Sequence, residues 1–253
     1  MRRTCGVLVI LAACTGAPAV PNDPIEPFLD LGKADGLPTL LQYEDRSRID
    51  VDEPSDLVQV GGHLYTVSDS HSKIYEVEPD GDTDTYLDID VDDLESIGFD
   101  PGSGEFVVGD EGSGKVWFID DDGDGHDSIE IDGAEDGNSG IEGLVVTPTG
   151  HLFVVKEKDP IVIYELDTAG NLLASEEVDF AGDLSGITYN ALDGHLYVLS
   201  DQDQALFRLT SSLVPDRGWT LPVDKPEGLA FDGNTLYVVS DSEDRIYTFS
   251  LVP

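Results

Sequence analysis

Basic residues are scarce in this chain. Its 253 residues include 13 lysines and arginines against 53 aspartates and glutamates, which gives a formal net charge of -40 at pH 7. A surface with this charge repels nucleic acid and anionic membrane surfaces, and it attracts cations. We therefore expect no nucleic-acid partner and expect a divalent cation. High net charge is also typical of disordered chains, but 40% of the residues are hydrophobic and fall in short regular runs, which indicates a folded domain.

Cysteine is also nearly absent, and the two cysteines, Cys5 and Cys14, both lie near the start of the sequence. A basic start, a short apolar run over residues 7–11 and small residues before Cys14 follow the order of a secretory signal. The apolar run is too short to cross a bilayer. The segment Leu-Ala-Ala-Cys at residues 11–14 resembles the bacterial lipobox, whose cysteine is lipidated after the preceding peptide is removed.

This resemblance implies that residues 1–13 are a lipoprotein signal peptide and that Cys14 carries a lipid. The expected location is the cell envelope, at the outer membrane of a Gram-negative bacterium, with membrane contact through the lipid anchor only. An ordinary cleaved signal is the alternative. After cleavage no disulfide can form within one chain, so the stability of an exported domain must come from its core and its closure.

Residues 14–38 have little periodicity and contain five prolines. This composition predicts a lipidated cysteine followed by a tether that holds the folded domain away from the membrane. An irregular loop packed on the domain is the alternative. The folded domain is then expected over residues 39–253.

Helical periodicity is missing throughout, and an internal repeat takes its place. The clearest copy covers residues 226–241, in which one apolar run ends at Asp232 and a second ends at Asp241. Each copy continues with a third strand and most with a fourth. The acids that end the second run, Asp69, Asp110, Glu157, Asp201 and Asp241, are separated by 41, 47, 44 and 40 residues. This period predicts an all-β, five-bladed β-propeller with four-stranded antiparallel blades, which we expect to be monomeric.

A closed ring needs its first and last blades joined, because open sheet edges promote aggregation. The last copy stops after its third strand, while an unpaired strand candidate, residues 40–49, precedes the first copy. We therefore predict that this N-terminal strand completes the last blade.

Polar residues recur at the two positions of each copy that face the same mouth of a propeller. We call the residues that begin the copies the inner ring, and the acids that end the second run the outer ring. The inner ring is Ser55, Glu95, Glu142, Ser185 and Glu227, and the predicted outer ring is Asp69, Asp110, Glu157, Asp201 and Asp241. Carboxylates that converge in a concave mouth raise one another's pKa or require a cation, and oxygen ligands favour calcium. Lys156 and Lys158 are expected to offset part of the charge, and hydrogen-bonding of the acids to their own turns is the alternative.

A second acidic segment covers residues 120–127. Its carboxylates Asp120, Asp122, Asp124 and Asp127 surround a glycine and resemble part of a calcium loop, but the twelfth position, where such a loop has glutamate, is Ile131. A peripheral calcium turn and a solvated hairpin loop both remain open. Three histidines occupy the same position before the second strand of their copies, which favours a role in the turn over a zinc site: His63, His151 and His195.

Several of these motifs follow one another in an order that resembles the bacterial SdiA-regulated (YjiK-like) family of exported β-propellers. The most particular are Glu142-Gly143-Leu144, the Lys156-Glu157-Lys158 segment, and residues 183–189 with the later Ser200-Asp201. The first copy departs from the pattern, because Ser55-Asp56 replaces the usual Glu-Gly or Ser-Gly pair. The resemblance implies a propeller of the cell envelope associated with calcium, and it implies no defined chemistry.

Three functions follow as hypotheses. The first is a calcium-associated, noncatalytic binding or signalling propeller with a small molecule or an envelope protein at one face. The second is a metal-dependent hydrolase of a small ester, lactone or phosphoester, because the motifs also resemble gluconolactonase-like propellers. The third is a scaffold for protein partners, since propellers serve as enzymes and as binding proteins alike.

Overall fold

The chain folds into a ring of antiparallel sheets. The computed structural model describes residues 20–31, 36–37, 39–134 and 140–253, and these contain 21 strands and no helix. It follows that the described segments include no helix able to span a membrane. The protein is a five-bladed β-propeller, as the repeat predicts.

Each of the first three blades is a four-stranded sheet in chain order from the axis outward. The first blade contains β3 (Pro54–Val60), β4 (His63–Ser68), β5 (His71–Val77) and β6 (Thr83–Asp88). The second contains β7 (Leu94–Asp100), β8 (Glu105–Asp110), β9 (Lys115–Ile119) and β10 (Gly125–Glu130). The third contains β11 (Ile141–Val146), β12 (His151–Lys156), β13 (Val162–Asp167) and β14 (Leu172–Glu177).

The last two blades each recruit a strand from the start of the chain. The fourth contains β15 (Gly186–Asn190), β16 (His195–Ser200), β17 (Ala205–Leu209) and β18 (Pro215–Thr220), with β1 (Leu29–Asp30) added outside β18. The fifth contains β19 (Pro226–Asp232), β20 (Thr235–Ser240), β21 (Arg245–Val252) and, as its outer strand, β2 (Leu40–Arg48).

Apolar side chains fill the spaces between neighbouring blades. Five clusters of buried hydrophobic residues occupy the five interfaces, so each blade shares one layer with the blade on either side. The recurring aromatics Tyr65, Phe153 and Tyr197 lie in these layers, as the repeat predicts. Because both faces of an inner strand are covered, β4 and β16 are buried along nearly their whole length, whereas the outer strand β14 is exposed at all its residues.

The innermost strands β3, β7, β11, β15 and β19 contact one another in a closed ring around the axis. Their close approach requires glycine. A Cβ atom placed on Gly186 would lie 2.5 Å from the carbonyl oxygen of Glu227, and one on Gly143 would lie 2.8 Å from the Cα of Gly186. The glycine of the repeated Glu-Gly and Ser-Gly pairs therefore sets the diameter of the ring.

The predicted closure strand is confirmed. β2 pairs antiparallel with β21, with Leu41 opposite Leu251, and the side chain of Leu41 is fully buried between the fourth and fifth blades. The ring is thus closed by strands from opposite ends of the chain.

Residues 20–31 differ from the predicted tether, because they pack on the propeller. β1 pairs with β18, the N–H of Ile25 donates to the carbonyl of Leu41 at 2.7 Å, and Phe28 packs edge-on against Phe207. Apolar side chains interspersed among the prolines make the contacts: Val20 and Ile25 pack against the cluster between the fourth and fifth blades, and Phe28 packs on the fourth. The folded part of the chain therefore includes residues 20–31. The predicted signal peptide and Cys14 lie outside the described residues.

Candidate functional site

A repeated β-bulge presents the inner-ring residues to the mouth. The pairing of the first two strands shifts register across Ser55, Glu95 and Glu142, and across Glu227 together with the following glycine. A bulge interrupts the alternation of side chains and turns one residue away from the sheet face. Ser185 reaches the same place because it lies just before β15.

A repeated backbone hydrogen bond brings the outer ring next to the inner ring. The N–H of Asp69 donates to the carbonyl of Glu53 at 3.2 Å, and that of Asp241 donates to the carbonyl of Lys225, also at 3.2 Å. Each acceptor lies two residues before an inner-ring residue. The turn after the second strand is thereby fixed beside the start of the first.

The two rings enclose one cavity of about 390 Å³ at the mouth. The structure brings together all five inner-ring residues, four residues of the predicted outer ring and Lys158. The cavity is lined by Glu53, Ser55, Asp69, Glu95, Glu111, Glu142, Glu157, Lys158, Asp183, Ser185, Asp201, Lys225, Glu227 and Asp241.

Asp110 is absent from this lining, and Glu111 takes its place. Asp110 is the last residue of β8, and its carboxylate accepts hydrogen bonds from the N–H and hydroxyl of Ser113 at 3.0 and 2.6 Å. The N–H of Glu111 instead makes the repeated bond, to the carbonyl of Asp93 at 3.1 Å. The carboxylate of Asp110 therefore makes hydrogen bonds within its own turn and does not line the mouth. The outer ring in the structure is Asp69, Glu111, Glu157, Asp201 and Asp241.

Lys156 also lies outside the cavity lining. Its side chain is buried, and its Nζ donates to the carbonyl oxygen of Lys158 at 2.5 Å. Lys156 ends β12, at the strand position that Ser68, Ser200 and Ser240 hold in other blades. It therefore acts on the backbone of the turn and does not face the mouth.

Sequence reasoning missed four cavity residues: Glu53, Glu111, Asp183 and Lys225. Three of them occupy the position two residues before the inner ring, which has positive φ in Glu53 and Lys225. A polar residue recurring at that spacing was the available signal. The carboxylate of Asp183 is already hydrogen-bonded, since it accepts a bond of 2.5 Å from the hydroxyl of Ser200.

Burial raises the pKa of Glu95 to about 9, and the negative charges of Asp69 and Glu111 add to this effect. With a pKa of about 9, Glu95 keeps its proton at neutral pH. The neighbouring hydroxyl of Ser55 acts in the opposite direction.

The other two inner-ring glutamates behave similarly. Burial raises the pKa of Glu142 well above its usual range, with further contributions from Glu95 and Glu227. Burial also raises the pKa of Glu227, and Asp201 adds to it while Lys225 opposes it. The interaction with Glu142 lowers the pKa of Glu111, against the larger effect of burial. The mouth therefore holds protons in place of some of its negative charges at neutral pH.

The two lysines of the mouth are paired with outer-ring acids. Lys158 Nζ lies 2.5 Å from Glu157 Oε1, and Lys225 contacts the carboxylate of Asp241. Both lie on the side of the third to fifth blades. The carboxyls of Glu95, Asp69 and Glu111, on the opposite side, form no ion pair with a lysine or arginine among the described residues.

The donor set of this cavity suits a hard cation. Its side chains supply carboxylate and hydroxyl oxygens, with no imidazole or thiolate among the described lining residues. Within the described chain, the one trio with potential ligand atoms all within 4.8 Å of one another is His63, Glu76 and Glu78, outside the mouth. The mouth carboxylates are thus more widely spaced, and a cation there would keep water among its ligands or draw the acids inward.

The peripheral acidic segment forms a tight turn. Asp120 Oδ1 accepts hydrogen bonds from the N–H groups of Asp122 and Asp124 at 2.9 and 3.0 Å, and Asp127 Oδ1 accepts one from Ser128 at 2.9 Å. Gly123 has a φ of +90° at the tip. Asp120 and Asp127 therefore satisfy local backbone donors, as in a solvated hairpin loop.

The histidines pair with acids of neighbouring strands. His63 Nδ1 lies 2.6 Å from Glu76 Oε1, and His151 Nδ1 lies 2.6 Å from Glu165 Oε1. His195 instead contacts Asp193 in the preceding turn. His63 and His151 thus join neighbouring strands, whereas His195 has the role in the turn that the sequence predicts.

Several solved propellers are similar to this chain. The virginiamycin B lyase from Staphylococcus aureus is 17% identical with a TM-score of 0.54, and the match covers 79% of this chain and 66% of the lyase chain. The Myxococcus xanthus glutaminyl cyclase is 10% identical with a TM-score of 0.64, covering 84% and 97%. A chain from a nidogen/laminin complex is 19% identical with a TM-score of 0.59, covering 78% and 76%. These similarities reflect the propeller fold, which enzymes and binding proteins share.

Sequence similarity gives the relationship directly. The family model named SdiA-regulated matches residues 56–250, which include all five blades except β1, β2, the first two residues of β3 and the last two of β21. The chain therefore belongs to the SdiA-regulated family.

Proposed function

We propose that this protein is a noncatalytic, calcium-binding β-propeller of the bacterial cell envelope. The observation that carries the proposal is the cavity in which Glu95, Glu142 and Glu227 converge with the outer-ring acids. Like charges at this density are tolerated only with protons or a cation between them. Calcium would replace some of these protons and would be held by Glu95, Glu111 and Glu142, carboxyls that form no ion pair with a lysine or arginine among the described residues.

An inner-ring serine of this site lacks the geometry of a catalytic nucleophile. Ser185 donates its hydroxyl proton to the carbonyl of Pro226 at 2.7 Å, so it is not directed at a base. A bound calcium could instead present the mouth to a small molecule or an envelope protein, with the remaining water ligands exchanged for oxygens of that partner.

Calorimetric titration of calcium into the metal-free protein tests the proposal. We expect binding in the wild type and at least tenfold weaker binding in Glu142→Gln, which removes a ligand without changing the size of the side chain. Glu130→Gln is the matched control, because Glu130 is exposed on the outer strand of the second blade. Equal affinities in all three proteins would place any calcium outside the mouth.

The envelope location is proposed from the resemblance of residues 11–14 to a lipobox. Five residues separate Cys14 from Val20, the first described residue, so a lipid at Cys14 would hold the propeller close to the membrane. Metabolic labelling with a fatty-acid analogue should mark the wild type and not Cys14→Ser, and the variant should move from the membrane fraction to the soluble fraction. Membrane retention of unlabelled Cys14→Ser would contradict lipid anchoring.

A metal-dependent hydrolase is the second candidate, favoured by one observation. Glu95, with a pKa of about 9, keeps a proton at neutral pH beside the proposed cation and could donate it to a leaving group. A panel of lactones and phosphoesters should then show calcium-dependent turnover that Glu95→Gln abolishes. Absence of turnover, or turnover unchanged in Glu95→Gln, removes this candidate.

A further inference from the structure

A fully buried carboxylate lies below the acidic cavity. Asp56 has no exposed surface. Its Oδ1 accepts a hydrogen bond from the N–H of Leu57 at 2.8 Å, and its Oδ2 accepts one from the N–H of Ile97 at 3.0 Å. Burial raises the pKa of Asp56 well above its usual range, and the N–H groups of Ile97, Leu57, Leu144 and Leu229 act in the opposite direction.

These four donors come from β3, β7, β11 and β19, which belong to four different blades. Each donor is the second residue after an inner-ring residue. A side chain whose charge is affected by strands of the first, second, third and fifth blades lies close to the propeller axis. Backbone N–H groups that converge on one point form a concave site for an anion.

Only one blade supplies an acid at this level. The equivalent residues of the other blades are Ser96, Gly143, Gly186 and Gly228. A Cβ atom placed on Gly228 would lie 2.4 Å from the Cα of Asp56. The axis therefore has room for a single carboxylate, and the departure from the Glu-Gly repeat in the first blade provides it.

We propose that the inner strands form an anion-binding site on the propeller axis and that Asp56 is its built-in occupant. Filled in this way, the site closes the floor of the cavity, so that a ligand enters from the mouth alone. It also makes Asp56 a positioning residue, because the strands that it joins carry Glu95, Glu142 and Glu227. The inference does not depend on whether the mouth binds calcium.

Chemical rescue tests the proposal. Asp56→Gly introduces the residue that three other blades already have, and it leaves a space that formate matches in charge and in its two oxygens. We expect the variant to melt at a lower temperature than the wild type, and 100 mM sodium formate to raise its Tm by about 3 °C or more. Sodium gluconate at the same concentration, with a bulky anion, should not do so.

Ser96→Gly is the matched control, since it empties the equivalent position of the second blade without removing an anion. Its Tm should respond equally to formate and gluconate. An Asp56→Gly protein that also responds equally to the two salts would overturn the proposal.

A measurement on the wild type covers the case in which Asp56→Gly does not fold. Through-hydrogen-bond NMR couplings should connect the Asp56 carboxylate carbon to amides of at least two blades, including that of Ile97. Couplings confined to Leu57, or none, would overturn the proposal.

Discussion

The protons retained by the buried glutamates of the mouth predict that the metal-free protein loses stability as the pH rises from 5.5 to 8. Glu95 has a pKa of about 9 in the folded protein against an ordinary value of 4.5. Over this range the folded state keeps a proton that the unfolded chain has released. Stability falls with pH wherever the native state binds more protons, so the contribution is complete below pH 4.5 and is lost as the pH rises toward 9.

The magnitude follows from one retained proton. Each pH unit is worth about 1.4 kcal/mol, so Glu95 alone lowers the free energy of unfolding by about 3 kcal/mol between pH 5.5 and 8. For a chain of this size that corresponds to a decrease in Tm of roughly 7 °C or more. Glu142 and Glu227, whose pKa values are raised in the same direction, steepen the decrease.

Thermal unfolding in a chelating buffer at several pH values measures the effect. Glu95→Gln is the comparison, because glutamine has the shape and the zero charge of protonated glutamic acid. The electrostatic environment of the other mouth acids is then unchanged. Its pH slope should be smaller than that of the wild type by about 1.4 kcal/mol per pH unit. Parallel slopes for the two proteins would refute the raised pKa and with it the proton-holding mouth.

Three further predictions address the outer ring, the closure and the axis. Glu111→Gln should weaken calcium binding at least tenfold while Asp110→Asn leaves it unchanged, and calorimetry showing the reverse order would restore the sequence-based outer ring. Leu41→Ala should lower the free energy of unfolding by about 2–5 kcal/mol, because Leu41 is buried at the closure. The control Leu31→Ala, at an exposed residue, should change it by less than about 0.5 kcal/mol. Similar losses for both variants in denaturant titration would contradict the role of β2. Gly228→Ala should prevent folding or lower the Tm by about 10 °C, since its Cβ would meet the backbone of Asp56, and a wild-type melting curve would refute the packing of the axis.

The fold could be predicted from the sequence because each blade repeats the same strands at nearly the same spacing. The closure strand could be predicted because the last copy lacks a fourth strand and one unpaired strand precedes the first copy. The prolines of residues 20–31 concealed the docking of β1. A proline-rich segment rarely forms regular secondary structure, but it can still pack on a folded domain. Here the side chains of Ile25 and Phe28 make the apolar contacts with the propeller.

The mouth could be predicted only in part. Asp110 and Glu111 are adjacent acids, and the pattern alone does not show which of them follows the strand. The hydrogen bond from Glu111 to Asp93 decides it. Asp56 looked like a weakened copy of the repeat, whereas its place on the axis depends on four strands that are distant in sequence.

Calcium binding with proton release is the measurement that tests the account most directly. Titrations of the metal-free protein at pH 7 in two buffers of different ionisation enthalpy should give different apparent heats, with about one or more protons released per calcium and fewer released by Glu95→Gln. A titration without heat, together with a Tm that calcium does not change, would contradict a cation site in the mouth.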